Sequence, residues 1–225
     1  MTTMTFQVAG HGEMPVEIKQ LIIAGWAGRD TAAVEHHIAE LEAIGVRRPT
    51  QIPCFYRVAA TLLNPAKSIQ VPGKDSSGET EFVLINSPAG LLVGLGSDHT
   101  DRKVEAYDVT VSKQMCDKPI ASQVWRFDEV EPHWDQLVMR TWRVRDGVRE
   151  LYQEGPVTSL LAPNTLLGKL NEAGALPHGT AMFCGTQPVL GELGYGEAFE
   201  MELADPVLQR SLRHDYQVEP LSVAE

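Results

Sequence analysis

Basic residues are scarce in this chain and nowhere gathered. Nineteen Lys and Arg stand against thirty Asp and Glu, a formal net charge of −11. The two densest basic spots are Arg47-Arg48 and Arg143-Val144-Arg145. Binding phosphates needs clustered cations, so a nucleic-acid partner is excluded. Long apolar runs are missing too: no window approaches the ~20 residues of a membrane span. The opening Met1-Thr2-Thr3-Met4-Thr5-Phe6 has neither the basic start nor the apolar stretch of a signal peptide. No membrane partner and a cytoplasmic location are therefore expected. Cysteine is limited to Cys54, Cys116 and Cys184, with no CxxC pair, which suits reduced thiols packed as small hydrophobes better than a disulfide framework.

Several catalytic signatures are absent as well. Gly94-Leu95-Gly96 runs into Ser97-Asp98-His99 and lacks the third glycine and the helix of a dinucleotide fingerprint. There is no GxxxxGK[ST] loop and no Gly-x-Ser-x-Gly elbow, which argues against a phosphate-cradling loop and a serine hydrolase. Trp125, Phe127 and Trp134 read as core in so acidic a protein, not as a stacking platform.

What is there suits one α+β domain dominated by strands. The 225 residues are 43% hydrophobic, enough for a sizeable core. Phe6–Val8 and Glu17–Trp26 read as strands about a Gly10-His11-Gly12 turn. Asp30 caps a helix in which Val34, Ile38, Leu41 and Ile44 recur at helical spacing up to Gly45. A strand is expected at Cys54–Arg57, and a hairpin at Glu79–Ile85 and Leu91–Gly96. Leu137–Val144 and Val148–Glu154 form another about Asp146-Gly147. A helix near Thr165–Ala173 and strands ending at Thr186, Leu203 and Val218 complete the pattern, while Thr100–Ala106 and Val109–Met115 stay open between helix and irregular structure.

The informative stretch is Gly78 to Pro119. Glu79 and Glu81 are two apart at the head of an apolar run, so on a strand both carboxylates leave one face. Asp98 follows once the chain turns back. Three carboxylates with no Cys and few His make an oxygen-donor set suited to Mg²⁺, or to Mn²⁺ or Ca²⁺, and not to zinc. Lys113 would add fixed positive charge beside a developing oxyanion. Read from spacing alone, the same acids also fit a solvated hairpin edge and a capped turn.

Several motifs in order resemble the fumarylacetoacetate hydrolase superfamily, in an uncharacterised divergent branch. Glu79-Thr80-Glu81 before Phe82-Val83-Leu84-Ile85 is similar to its Glu-x-Glu strand. Ser97-Asp98-His99-Thr100-Asp101-Arg102 is similar to its Asp-containing loop. Ser112-Lys113-Gln114 with Pro119, Leu176-Pro177-His178-Gly179-Thr180 with Cys184-Gly185-Thr186, and Phe199-Glu200-Met201-Glu202-Leu203 follow in the family's order. The match covers roughly residues 50 to 220.

The resemblance implies a mixed β-sandwich roll and a homodimer. Residues 1–48 would be an N-terminal hairpin and helix, and 49–225 a fumarylacetoacetase-like catalytic core. It implies a divalent ion on Glu79, Glu81 and Asp98, and hydrolysis of a C–C bond in a small 2-oxo or β-diketo acid. Decarboxylation, dehydration or tautomerisation on the same platform is the alternative reaction, and a non-catalytic dimeric metabolite-binding protein the alternative class. One departure stands out. The family's Asn-Tyr-x-x-His-x-x-Glu segment corresponds to Phe55-Tyr56-Arg57-Val58-Ala59-Ala60-Thr61-Leu62, so Ala59 and Leu62 replace the water-activating His and Glu. His99, next to Asp98, is the expected substitute for moving the proton. Arg57, Tyr56, Arg102, Gln114 and Thr186 are the expected substrate-binding residues, the arginines because a carboxylate substrate needs a cation in so negative a protein.

Overall fold

Phe82-Val83-Leu84-Ile85 is apolar without alternation, the pattern of a strand buried on both faces, and the computed structural model shows why. It describes residues 1–43 and 48–224; Ile44 and Gly45, the predicted end of the first helix, lie outside the described residues, as does the side chain of Leu41. The strand Thr80–Ser87 lies near the middle of an eight-stranded mixed sheet. The strand order is Gly12–Ile18, Thr2–Val8, Gln123–Arg126, Gly90–Ser97, Thr80–Ser87, Thr180–Thr186, Gln20–Gly25, Cys54–Val58. Phe82 and Leu84 face a second, five-stranded sheet ordered Val148–Pro156, Val138–Arg145, Ala198–Asp205, Arg210–Leu221, Ser68–Pro72. There they join Met139, Tyr152, Phe199, Leu203 and Tyr216 in the main core. Val83 and Ile85 point the other way, into a second core with Phe6, Ile18, Leu21, Ile23 and Phe183. The strand-dominated α+β expectation holds.

The turn chemistry accounts for the hairpins. Asp146 and Gly147 both have positive φ, 52° and 72°, as a two-residue hairpin turn requires. Val138–Arg145 then pairs with Val148–Pro156 and slips one residue at a bulge between Thr141 and Trp142. The first hairpin differs from expectation. The turn is where Gly10 and Gly12 predict it, with φ of 75° and 80°, but the return strand is Gly12–Ile18. The predicted Glu17–Trp26 strand begins anew at Gln20, after Lys19 N–H and Gln20 N–H have both bonded the Gly179 carbonyl. Asp30 Oδ1 accepts from the N–H groups of Ala32 and Ala33 and so starts the helix Thr31–Ala43 as predicted. The open stretches are helical, Arg102–Glu105 and Val109–Met115, started by Asp101 and Asp108 side chains. No described helix is long and apolar enough to cross a membrane.

Gly96 shows how tightly the central strands close. A Cβ there would fall 2.6 Å from Phe183 Cε1 and 2.8 Å from the Pro119 carbonyl oxygen, the second being backbone that cannot swing aside. Gly96→Ala is expected to destabilise the protein by about 1–3 kcal/mol, measured by chemical denaturation. An unchanged midpoint would mean that these strands part freely.

Candidate metal centre

Register brings the three carboxylates together. Glu81 pairs with Gly96 on one side and Thr186 on the other, on the face of Val83 and Ile85. Asp98 N–H bonds the Glu79 carbonyl at 2.9 Å, one step beyond the Thr80–Ser97 pair. Glu79, Glu81 and Asp98 therefore converge, each offering an oxygen within 4.8 Å of the others. Glu81 and Asp98 are buried and Glu79 partly so.

Cations gather around two of the three. Lys113 Nζ lies 2.5 Å from Asp98 Oδ2 and 3.6 Å from Glu79 Oε2. Lys118, fully buried, places Nζ 3.1 Å from Asp98 Oδ1 and donates to the His99 carbonyl at 2.6 Å. Burial alone would raise the Asp98 pKa, but the two ammonium groups outweigh it and hold the carboxyl down at about 2. Burial likewise works against the charge on Lys113, and Asp98 and Glu79 more than reverse it, so Lys113 stays protonated. Arg102 Nη1 bonds Glu79 Oε1 at 3.2 Å and Glu105 Oε2 at 2.8 Å.

Glu81 is different. Its carboxylate accepts the Gly185 N–H at 2.6 Å, and no cation lies within ion-pair distance of it among the described residues. Burial first, then the charges of Asp98 and Glu79, push its pKa well above the ordinary value. Four carboxylates, Glu79, Glu81, Asp98 and Glu105, thus meet three cations, Lys113, Lys118 and Arg102, and Glu81 is the one without an ion pair among the described residues. Asp98 Oδ1 is also buried without a hydrogen bond, its approach to Lys118 being poorly aligned. An oxygen-only donor set with one surplus charge fits a hard divalent cation.

The other expected site residues divide. Tyr56 is brought to the site, its ring centroid 5.9 Å from Lys113 Nζ. Burial, foremost, drives its hydroxyl up to about 12, so it stays a neutral donor. Arg57 is turned away, as alternation along a strand requires: it is exposed and donates to Gln20 Oε1 at 2.8 Å. Gln114 is spent on its neighbour segment, with Oε1 accepting the Ala59 N–H at 2.9 Å, so it braces the loop that lacks the family's His and Glu. Arg102 braces Glu79, and its Nε donates to Ser77 at 2.7 Å while Nη2 is buried without a partner. The Thr186 hydroxyl donates to the Thr80 carbonyl at 2.8 Å and accepts from Gln153 at 2.9 Å, which ties the site strand to the second sheet.

His99 is buried with both ring nitrogens paired, which argues against its expected role in moving a proton. It is fully buried, Nδ1 pairs with the Tyr216 hydroxyl at 3.0 Å and Nε2 with Ser76 Oγ at 2.9 Å. Burial, then Lys118 and Arg102, push its pKa well below the ordinary value, so both ring nitrogens are committed and the ring stays neutral. Adjacency to Asp98 suggested the opposite, but side chains of consecutive residues in extended chain leave on opposite faces.

Two contributors were missed. Lys118 precedes the Pro119 that marks the motif, and its apolar setting gave no sign that an ammonium would be buried there. Trp26, with φ of 59°, donates its indole N–H to the Tyr56 hydroxyl at 3.3 Å. Its position at a strand end before Ala27-Gly28 read as the close of a strand.

Solved structures share this fold. A yeast fumarylacetoacetate hydrolase family protein is 18% identical, with 92% of this chain and 97% of that one covered at a TM-score of 0.64. A 2-keto-3-deoxy-D-arabinonate dehydratase complexed with magnesium and 2,5-dioxopentanoate is 16% identical, covering 94% and 77%, with a TM-score of 0.62. The 4-oxalocrotonate decarboxylase from Pseudomonas putida G7, complexed with magnesium and adipate, is 12% identical, covering 91% and 78%, with a TM-score of 0.52. The chain therefore has the fumarylacetoacetase-like fold that its ordered motifs implied. No curated protein matches it by sequence. The family model described as "Protein of unknown function (DUF2848)" matches residues 24–216, and the chain belongs to that family.

Proposed function

We propose that this protein is a divalent-metal-dependent enzyme of small 2-oxo or β-diketo acids. The reaction would proceed through an enolate without an activated water: decarboxylation, dehydration or tautomerisation. The observation that carries the metal reading is the convergence of Glu79, Glu81 and Asp98, with an oxygen of each within 4.8 Å of the others and Glu81 buried without an ion-pair partner among the described residues. Glu79, Glu81 and Asp98 would hold Mg²⁺, or Mn²⁺ or Ca²⁺. When bound, such an ion supplies Lewis-acid polarisation of the 2-oxo group.

The chain's own groups then define what is possible. Lys113, protonated and fixed by Asp98 and Glu79, places positive charge where an enolate oxygen develops, and its raised pKa disqualifies it as a base. Tyr56 offers a neutral hydroxyl. Among the described residues water activation has no evident agent: Ala59 and Leu62 stand where the resembled superfamily has His and Glu, and His99 is sealed by Tyr216 and Ser76. This favours enolate chemistry over the C–C hydrolysis that the family resemblance put first. The two similar enzymes, one a dehydratase and one a decarboxylase, agree with that direction.

The test is a panel of acylpyruvates and oxaloacetate-type acids with Mg²⁺, followed by loss of enol absorbance and by product analysis. CO₂, water loss or an isomer alone supports the reading. Two organic acids from one substrate would restore hydrolysis, and no turnover with tight binding would restore a metabolite-binding protein. Because Arg57 faces away, Arg57→Ala is expected to leave turnover within about twofold, as surface substitutions do. A tenfold loss would return Arg57 to the site.

A further inference from the structure

Asp98 faces two buried ammonium groups where one would balance its charge. Lys113 Nζ lies 2.5 Å from Oδ2 and Lys118 Nζ 3.1 Å from Oδ1. Lys118 is not needed to place the carboxylate: the Asp98 N–H bonds the Glu79 carbonyl at 2.9 Å, the Asp98 carbonyl accepts the Thr100 hydroxyl at 2.9 Å, and Lys113 holds the side chain. A second buried ammonium costs desolvation that an apolar side chain of similar size avoids. Yet Lys118 is fully buried, and its Nζ also donates to the His99 carbonyl at 2.6 Å. Its backbone is pinned on both sides. Lys118 and Pro119 pair with Leu63 and Asn64, the Ile120 N–H bonds the Asn64 carbonyl at 3.0 Å, and the Ala121 N–H bonds the Leu95 carbonyl at 2.8 Å. Ile120 bridges Gly96, the residue that pairs with Glu81. The ammonium is thus fixed against the carboxylate cluster by the same strands that build it.

A positive charge fixed on a metal ligand has two opposite consequences. It repels a divalent cation seated on the same carboxylate, and it draws on the negative charge that the carboxylate would otherwise give to the ion. The ion is then held less tightly and keeps more of its own charge for what binds to it next. Among the described groups in ion-pair contact with the cluster, Arg102 is offset by Glu105 at 2.8 Å, which leaves Lys113 and Lys118 beside Glu79, Glu81 and Asp98. The neighbouring acids are turned to other partners, Asp101 to the Val104 N–H at 2.8 Å and Asp117 to the Asn64 amide at 2.7 Å. With a divalent ion on the three carboxylates the balance is positive and calls for an anion. The enolate of a 2-oxo acid carries two negative charges on chelating oxygens, whereas the 2-oxo acid itself carries one, so the extra positive charge favours the enolate. From this, and resting on the metal-dependent oxo-acid reading above, we infer that Lys118 is a positioning residue that acts through Asp98: its charge weakens the hold on the divalent ion and strengthens the hold on a doubly charged chelating ligand over a singly charged one.

The experiment is calorimetry on the wild-type protein, Lys118→Gln and Lys118→Met, first with Mn²⁺ and then, on the Mn²⁺-loaded proteins, with two chelators of one shape: oxalate, which carries two negative charges, and oxamate, which carries one. Lys118→Gln keeps a donor for the His99 carbonyl and removes the charge, and Lys118→Met keeps the length of the side chain. Mn²⁺ is expected to bind about tenfold tighter to either variant, and the margin by which oxalate binds tighter than oxamate to shrink by about tenfold. A merely structural lysine would move both affinities the same way, because a loosened Asp98 holds the ion and its chelator less well. Mn²⁺ affinity unchanged or weaker in a folded variant therefore overturns the inference, and so does an unchanged margin. Equal binding of oxamate and oxalate by the loaded wild-type protein overturns it even if both variants fail to fold. If the wild-type protein binds no Mn²⁺, the metal reading fails and this inference falls with it, whereas Mn²⁺ binding that neither variant alters sinks the inference alone.

Discussion

Asp98→Ala is expected to destabilise the protein by about 3–5 kcal/mol, the cost of leaving a buried charge without its partner. In a chain of this size that corresponds to a fall of roughly 10 °C in melting temperature. The reason is the arrangement around it. Asp98 is completely buried between Lys113 and Lys118, both of them buried as well. Among the described residues, removing it leaves Lys118 with the His99 carbonyl and Lys113 with Glu79 at 3.6 Å. The pH dependence follows from the depressed pKa. With a folded value of about 2 against an ordinary 3.8, the stability Asp98 provides is fully present above the ordinary value and is lost as pH falls toward the folded one. A melting temperature within two degrees of wild type would show that both ammonium groups find water without their counter-charge.

Glu81→Gln is expected to act in the opposite sense on the metal-free protein and to abolish its function. A carboxylate with a raised folded pKa binds its proton more tightly in the folded than in the unfolded state. The stability that Glu81 contributes to the metal-free protein is therefore fully present below the ordinary glutamate value of 4.5 and is lost as pH rises through the folded value. Glutamine carries no charge to bury, so the variant should be more stable than wild type at pH 8 and should lose that part of the pH slope. Turnover should fall by roughly 10²–10⁴-fold, the scale on which a metal ion stabilises transition-state charge. The two readouts together separate a ligand from a structural acid. A glutamine variant less stable than wild type at pH 8, with turnover intact, would identify Glu81 as an ordinary hydrogen-bond acceptor for Gly185.

Much of the site was legible because the period of a strand is two. Glu79 and Glu81 had to share a face, and the apolar run behind them had to be a buried strand, so two of the three carboxylates were placed by alternation alone. The same rule, applied one residue further, would have turned His99 away from Asp98 and Arg57 away from Tyr56. The motif resemblance drew attention to residue type before direction. Lys118 was not legible. An ammonium with Ile120 and Ala121 close behind it reads as a surface residue, and what buries it is the crossing of Leu63-Asn64 and Lys118-Pro119 in a short parallel bridge. Trp26 was hidden for another reason. Its left-handed φ is imposed by the tertiary setting at the end of Gln20–Gly25, and sequence marks such positions only when glycine fills them. The two sheets and their order likewise depend on long-range pairing that hairpin signals do not carry: Thr180–Thr186 lies between Thr80–Ser87 and Gln20–Gly25, 92 residues of chain after the first and 154 after the second.

The central claim is that Glu79, Glu81 and Asp98 hold one divalent ion, and titration calorimetry of Mn²⁺ into the chelator-stripped protein at pH 7 tests it most directly. Repeating the titration in two buffers of different ionisation enthalpy counts the protons released. One ion bound per chain, with a proton released as Glu81 ionises, and both signals lost in Glu81→Gln, is the predicted result. No binding by the wild-type protein, or binding that Glu81→Gln leaves unchanged, would contradict it.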